Sequence, residues 1–170
     1  MTPRQAASGR DRDEAGRPRS ARPRDATGRP LPRGAAGEPQ VPDDLALTPE
    51  RALEMAQGLL DSGHPFQAHE VLEASWKSAP QADRDLWQGL AQIAVGLTHA
   101  QRGNARGASA LLRRGAGRLR GSLPHGVEAS PHGVDVRALV TMAGELADRI
   151  ERDGLGAVTA ADLQPRLRTG

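Results

Sequence analysis

The 170-residue chain has no cysteine. That excludes a disulfide framework and any thiolate nucleophile or ligand, so a zinc site here would have to draw on His and carboxylate. Aromatic residues are nearly missing. There is no Tyr, and Phe66, Trp76 and Trp87 are the whole set, gathered within 22 residues. A platform on which successive bases stack needs more of them. Lysine is also scarce: Lys77 is the single Lys, every other basic residue is Arg, and the formal net charge is only +2. The high isoelectric point follows from Arg content and the lack of Tyr, and is weak evidence for a nucleic-acid partner. No apolar run reaches the length of a membrane span. The first residues carry Arg but no apolar stretch of the kind a secretory signal needs. The expectation is a cytoplasmic protein without membrane association.

What is present divides the chain in three. Residues 1–44 hold nine Arg, seven Asp or Glu, seven Pro and five Gly, with almost no large apolar side chain. Such a segment cannot bury enough surface to offset its ordering entropy and reads as a disordered tail. An Arg-rich arm for RNA or DNA is the other reading, but the mixed signs weaken attraction to phosphate. Residues 45–155 read as a helical domain and 156–170 as a C-terminal tail.

Five helices are expected in the domain. Thr48-Pro49-Glu50 starts the first with a hydroxyl cap, a Pro in the first turn and an acid at the positive dipole end. Asp61-Ser62-Gly63 ends it. The second runs from about His64-Pro65 to Lys77, and the third from about Ala82 to Arg102. From Leu86 to Gln101 there is no charged residue, although 26% of the chain is charged. A helix without a charged face is normally buried nearly all round, which places this one at the bundle centre. Asn104 caps a fourth helix whose apolar stripe is ringed by Arg102, Arg106, Arg113, Arg114, Arg118 and Arg120. That ring is either a phosphate-binding face or a wet surface partly neutralised by Glu50, Glu54, Asp61 and Glu70, and the second reading is favoured. A loop with Pro124-His125-Gly126 and Pro131-His132-Gly133 follows; its two His could bind a metal, but Pro and Gly more often simply punctuate a connection. Asp135 caps a fifth helix with a regular apolar stripe from Val136 to Ile150. No stretch alternates like a strand. The fold class is all-α, a single up-and-down bundle of about five helices with a disordered N-terminal tail.

The chemistry concentrates in Phe66-Gln67-Ala68-His69-Glu70-Val71-Leu72-Glu73-Ala74-Ser75-Trp76. At about 100° per residue, Phe66, Glu73, His69, Trp76 and Leu72 fall within one arc. His69 and Glu73, one turn apart, are then the inner pair and Glu70 sits at the rim. On the third helix Gln88, Gln92 and His99 share a narrow stripe, flanked by Gly89 and Gly96, which would permit close helix contact. A short connection makes the two helices antiparallel neighbours, so these polar groups are each other's obvious partners.

Three readings of the cluster compete. It can be a structural hydrogen-bond network that fixes helix register. It can hold a divalent metal ion on His69 and Glu73, with Glu70 or His99 as third ligand and a water activated for attack. It can be a pocket for a small polar ligand. His-Glu-x-x-Glu lacks the second His of the zincin pattern, so metalloprotease chemistry is not supported.

Phe66-x-Ala68-His69-Glu70-x-Leu72-Glu73-x-x-Trp76, Leu86-x-Gln88-Gly89-Leu90-x-Gln92-x-Ala94, Arg102-Gly103-Asn104 and Gly133-Val134-Asp135-Val136 together resemble the domain of unknown function family 309, over about residues 50–150. The resemblance implies a small helical bundle from bacteria, archaea or plastid-bearing organisms, whose members are often labelled metal-dependent hydrolases. It makes His69, Glu70, Glu73, Trp76, Gln88 and Gln92 the signature positions, while His99 and the Arg-rich tail lie outside its pattern. The expected function is therefore a metal-dependent hydrolase with metal ligands His69 and Glu73 and general base Glu70. Trp76, Gln88, Gln92 and His99 would line the site. The alternative is a non-catalytic module that binds a small molecule or a protein. Nucleic acid through the tail and fourth helix is the least favoured partner.

Overall fold

The computed structural model describes residues 22–42, 45–123 and 131–169. His125 lies outside them. The five expected helices are α1 (Pro49–Asp61), α2 (Pro65–Ser78), α3 (Arg84–Gln101), α4 (Ala105–Gly121) and α5 (Val136–Asp153). Single 3₁₀ turns at Gln81–Asp83, Pro131–Gly133, Leu155–Ala157 and Ala161–Leu163 complete the described secondary structure. Each helix packs on the next in the chain, and α3 lies between α2 and α4. This is the up-and-down bundle that the periodicity predicts.

Local chemistry explains the helix starts. Thr48 Oγ1 accepts from Arg51 N at 3.4 Å, Asn104 Oδ1 from Gly107 N at 2.9 Å and Asp135 Oδ1 from Ala138 N at 3.0 Å. Each satisfies one of the amide groups that a first turn leaves without a carbonyl. The third helix begins two residues later than expected, because Gln81–Asp83 forms a 3₁₀ turn before the α-helical geometry is reached.

One core runs through all five helices, built mainly of Leu and Ala, with Trp87 as its largest fully buried side chain. Gly89 and Gly96 turn towards α4. A Cβ on Gly89 would lie 2.8 Å from Leu119 Cγ and 3.1 Å from Gly115 O, and one on Gly96 would lie 2.9 Å from Leu112 Cγ. The close contact they permit is therefore between α3 and α4.

Two segments read as tails are seated on the bundle. Leu167 is 2% exposed, and Gln57 fixes the C-terminal segment by accepting from Leu167 N at 2.7 Å and donating to Pro165 O at 3.1 Å. Residues 22–42 form a hydrogen-bonded loop against the start of α2. Asp25 Oδ1 accepts from Thr27 N, Thr27 Oγ1 and Arg29 N, and Leu31 N donates back to Pro23 O at 2.7 Å. Composition misses both segments because they are held by backbone and amide contacts with few large apolar side chains.

Two of the arginines on α4 are paired with acids. Arg113 reaches Asp148 at 2.7 Å and Glu151 at 2.6 Å, and Arg118 reaches Asp85 at 2.8 Å. The neutralising acids thus come from α3 and α5, not from the first two helices, since α4 lies between α3 and α5.

Candidate functional site

The candidate residues lie along one flank of the α2–α3 hairpin. Ala68, Val71 and Leu72 are the fully buried apolar side chains of α2, while Phe66, His69, Glu70, Glu73 and Trp76 are half-buried. On α3, Gln88, Gln92, Val95 and His99 recur at i, i+4, i+7 and i+11 as a half-buried stripe, and the other residues from Leu86 to Thr98 are buried. The two polar sets therefore occupy the margins of their helices. The inner-pair expectation holds for His69 and not for Glu73: their side chains are 21% and 36% exposed. The arc that α2 buries is centred nearer Val71 than the wheel suggested, because Ala68 and Val71 share in the core.

His69 Nε2 stands 3.5 Å from Glu73 Oε2, and Lys77 Nζ stands 3.3 Å from Glu73 Oε1. The Phe66 ring lies 6.0 Å from the His69 ring, tilted against it. Burial is the main influence on His69 and lowers its pKa; Glu73 opposes this, and Lys77 adds to it. A neutral imidazole with its proton on Nε2, facing the carboxylate, leaves Nδ1 as an acceptor. That atom is buried and has no hydrogen-bond partner on the protein, as is true of Gln67 Oε1, Gln92 Oε1 and Gln101 Oε1. Gln67 is itself a deeply buried residue, 5% exposed, that spacing did not single out. Its signal was available: an amide on the apolar side of α2, next to Ala68 and one turn before Val71.

The carboxylates Glu70 and Glu73 line one small cleft of about 60 Å³ with Val41, Pro42, Ala74 and Lys77. Trp76 packs against the core as a partly buried side chain. His99 is engaged at the end of α3, where its Nδ1 meets Asn104 Nδ2 at 2.8 Å beside the α4 cap, and nearby Arg102 together with burial lowers its pKa. The structure thus gathers Phe66, His69, Glu73 and Lys77 and gives His99 a separate contact. Among the described residues no group of three or more His, Cys, Asp or Glu is placed to hold a metal ion. No helix among them is long and apolar enough to cross a membrane.

Residues 53–111 match the family described as "Domain of unknown function (DUF309)". The likeness to that family is confined to that segment. It contains α2, α3 and every candidate site residue. An uncharacterized protein of Bacillus subtilis (strain 168), YpuF, is 44% identical over 48 residues, which is 28% of this chain and 28% of that relative. The chain therefore spans under a third of the length of the relative it matches. No solved structure matches the chain. The DUF309 segment accounts for the hairpin and the start of α4. The loop at residues 22–42, α5 and the seated C-terminal segment lie beyond it.

Proposed function

We propose that this flank of the α2–α3 hairpin binds a small ligand that donates hydrogen bonds, and that the protein is a non-catalytic helical binding module. What supports this reading is a pair of buried acceptors without partners on the protein, His69 Nδ1 on α2 and Gln92 Oε1 on α3, on the two half-buried polar stripes. Leaving one such atom unpaired costs about 1–3 kcal/mol. A self-contained structural network would satisfy its own members. A ligand bringing N–H or O–H groups satisfies them from outside. Glu70 and Glu73 at the rim favour an amine or amide over an anion.

The residues present do not fit a resident metal ion. His69 and Glu73 are a pair where a catalytic site uses three protein ligands, and the Lys77 ammonium already holds the second oxygen of Glu73.

Thermal unfolding of the full chain tests the reading. With a panel of small primary amines and carboxamides, the melting temperature is expected to rise for at least one member, and the rise should vanish in Gln92→Leu. EDTA should change nothing. Stoichiometric metal in protein purified without a His-tag, together with a melting temperature lowered by chelator, would overturn the proposal and restore the metal-dependent hydrolase.

A further inference from the structure

Residues 22–42 contain five Pro, three Gly and only two large apolar side chains, Leu31 and Val41. They meet α2 on both sides of His69. On the N-terminal side, Gly28 is buried against Phe66, and a Cβ at Gly28 would run into Phe66 Cδ2. The Arg24 guanidinium stands 5.5 Å from the centre of the Phe66 ring and that of Arg102 stands 5.8 Å from it. On the C-terminal side, Val41 and Pro42 close the cleft that Glu70, Glu73, Ala74 and Lys77 line. We propose that residues 22–42 are a strap across the His69 face of α2, and that the strap must lift for a ligand to reach that face. This proposal takes the ligand reading of that flank as its starting point.

The strap is built to lift as a unit. Its own hydrogen bonds hold its shape: Asp25 N to Arg29 O, Gly28 N to Asp25 O, Leu31 N to Pro23 O and Glu38 N to Arg24 O. Its attachment to the bundle includes Arg102 Nε to Thr27 O at 2.7 Å and Arg29 Nη2 to Arg102 O at 3.0 Å. Undocking exchanges these external contacts and leaves the internal turn intact, as in a local opening. Docking also gathers Arg24 and Arg29 beside Arg102. Burial is the main influence that lowers the Arg102 pKa; repulsion from Arg29 and Arg24 adds to it and Asp25 opposes it, so desolvation and like charges both work against the closed position.

Access to His69 can be measured without knowing the ligand. The full chain, Gly28→Val and Arg102→Gln are treated with diethyl pyrocarbonate at neutral pH, and carbethoxylation of His69 is timed by peptide mass spectrometry. In Gly28→Val the side chain strikes Phe66 and sits on a backbone with φ of 76°, which non-glycine residues adopt reluctantly. His69 should then react about tenfold faster, the expected response when roughly 1.4 kcal/mol of docking is lost. Arg102→Gln should give a smaller increase, and both variants should keep the helical signal and melting temperature of the parent. Equal His69 rates in all three chains would overturn the strap. So would a faster rate accompanied by cooperative loss of helix, which would make residues 22–42 part of the core. Neither outcome touches the ligand reading, which stands or falls on the thermal-shift measurement with amines and amides.

Discussion

His69 Nε2 faces the Glu73 carboxylate at 3.5 Å while Nδ1, on the other side of the ring, is buried without a partner on the protein. One edge of the imidazole is thus tied to a half-exposed acid and the other to the interior. Most of the behaviour expected of the site follows from that asymmetry.

The pair should be visible in a pH titration. Burial holds the His69 pKa below the usual 6.5, and Glu73 is the group that pulls it back up. Glu73→Gln should therefore lower the His69 value further, read from the imidazole proton shifts by NMR. The consequence for stability has a definite sign. The unfolded chain binds the proton more readily, so the contribution of His69 is fully present above the unfolded value of about 6.5 and falls as the pH drops towards the folded one. His69→Phe should flatten that acid-side decline in denaturant midpoints between neutral pH and the folded pKa. A His69 value raised by Glu73→Gln would refute the arrangement.

Gln67→Leu should stabilise the protein. Gln67 is 5% exposed and its Oε1 has no partner on the protein. Leu has similar bulk and removes the dry amide, so a gain of about 1 kcal/mol in urea unfolding is expected. A loss of similar size would mean that the amide is satisfied and the cluster is a structural network.

The fold was legible because its signals are local. Thr48, Asn104 and Asp135 cap the helices that their spacing to the next apolar residues predicted. The charge-free run at Leu86 to Gln101 did mark the helix that lies between α2 and α4. The His69–Glu73 contact was legible from its i, i+4 spacing, but its depth was not. A helical wheel orders side chains around an axis without saying which arc the neighbours cover, and α1 and α3 cover the arc around Val71. The strap was the least legible part. Its contacts with Phe66 are one glycine and two guanidinium groups, which composition scores as polar and flexible.

Asp83 and His132 join the turn before α3 to the turn before α5, with Nε2 and Oδ2 2.9 Å apart. His132 has a φ of 54°, the single described non-glycine residue on that side, and its ring lies 6.0 Å from Trp87. A contact between partly buried side chains that also holds a strained backbone position should be coupled. Asp83→Ala and His132→Ala should each destabilise, and the double variant should lose less than their sum by about 0.5–1 kcal/mol. Additive losses in chemical denaturation would mean that the two turns are fixed independently.

The contact between α3 and α4 sets the sharpest test of packing. Ala in place of Gly within a helix ordinarily gains up to about 1 kcal/mol. At Gly117, in α4, a Cβ meets nothing within 4 Å, and Gly117→Ala should show that gain. At Gly89 the same Cβ would stand 2.8 Å from Leu119 Cγ and 3.1 Å from the carbonyl oxygen of Gly115. The backbone carbonyl cannot rotate away as a side chain can, so the helices must separate. Overpacking of this kind costs about 1–3 kcal/mol, which exceeds the propensity gain. Gly89→Ala should therefore lower the denaturant midpoint while Gly117→Ala raises it. Moving α3 away from α4 also shifts Gln92 relative to α2, so Gly89→Ala should weaken any amine or amide response found in the parent, whereas Gly117→Ala should leave it intact. If both variants were equally stabilised, the close approach of α3 and α4 would not be a feature of the folded protein.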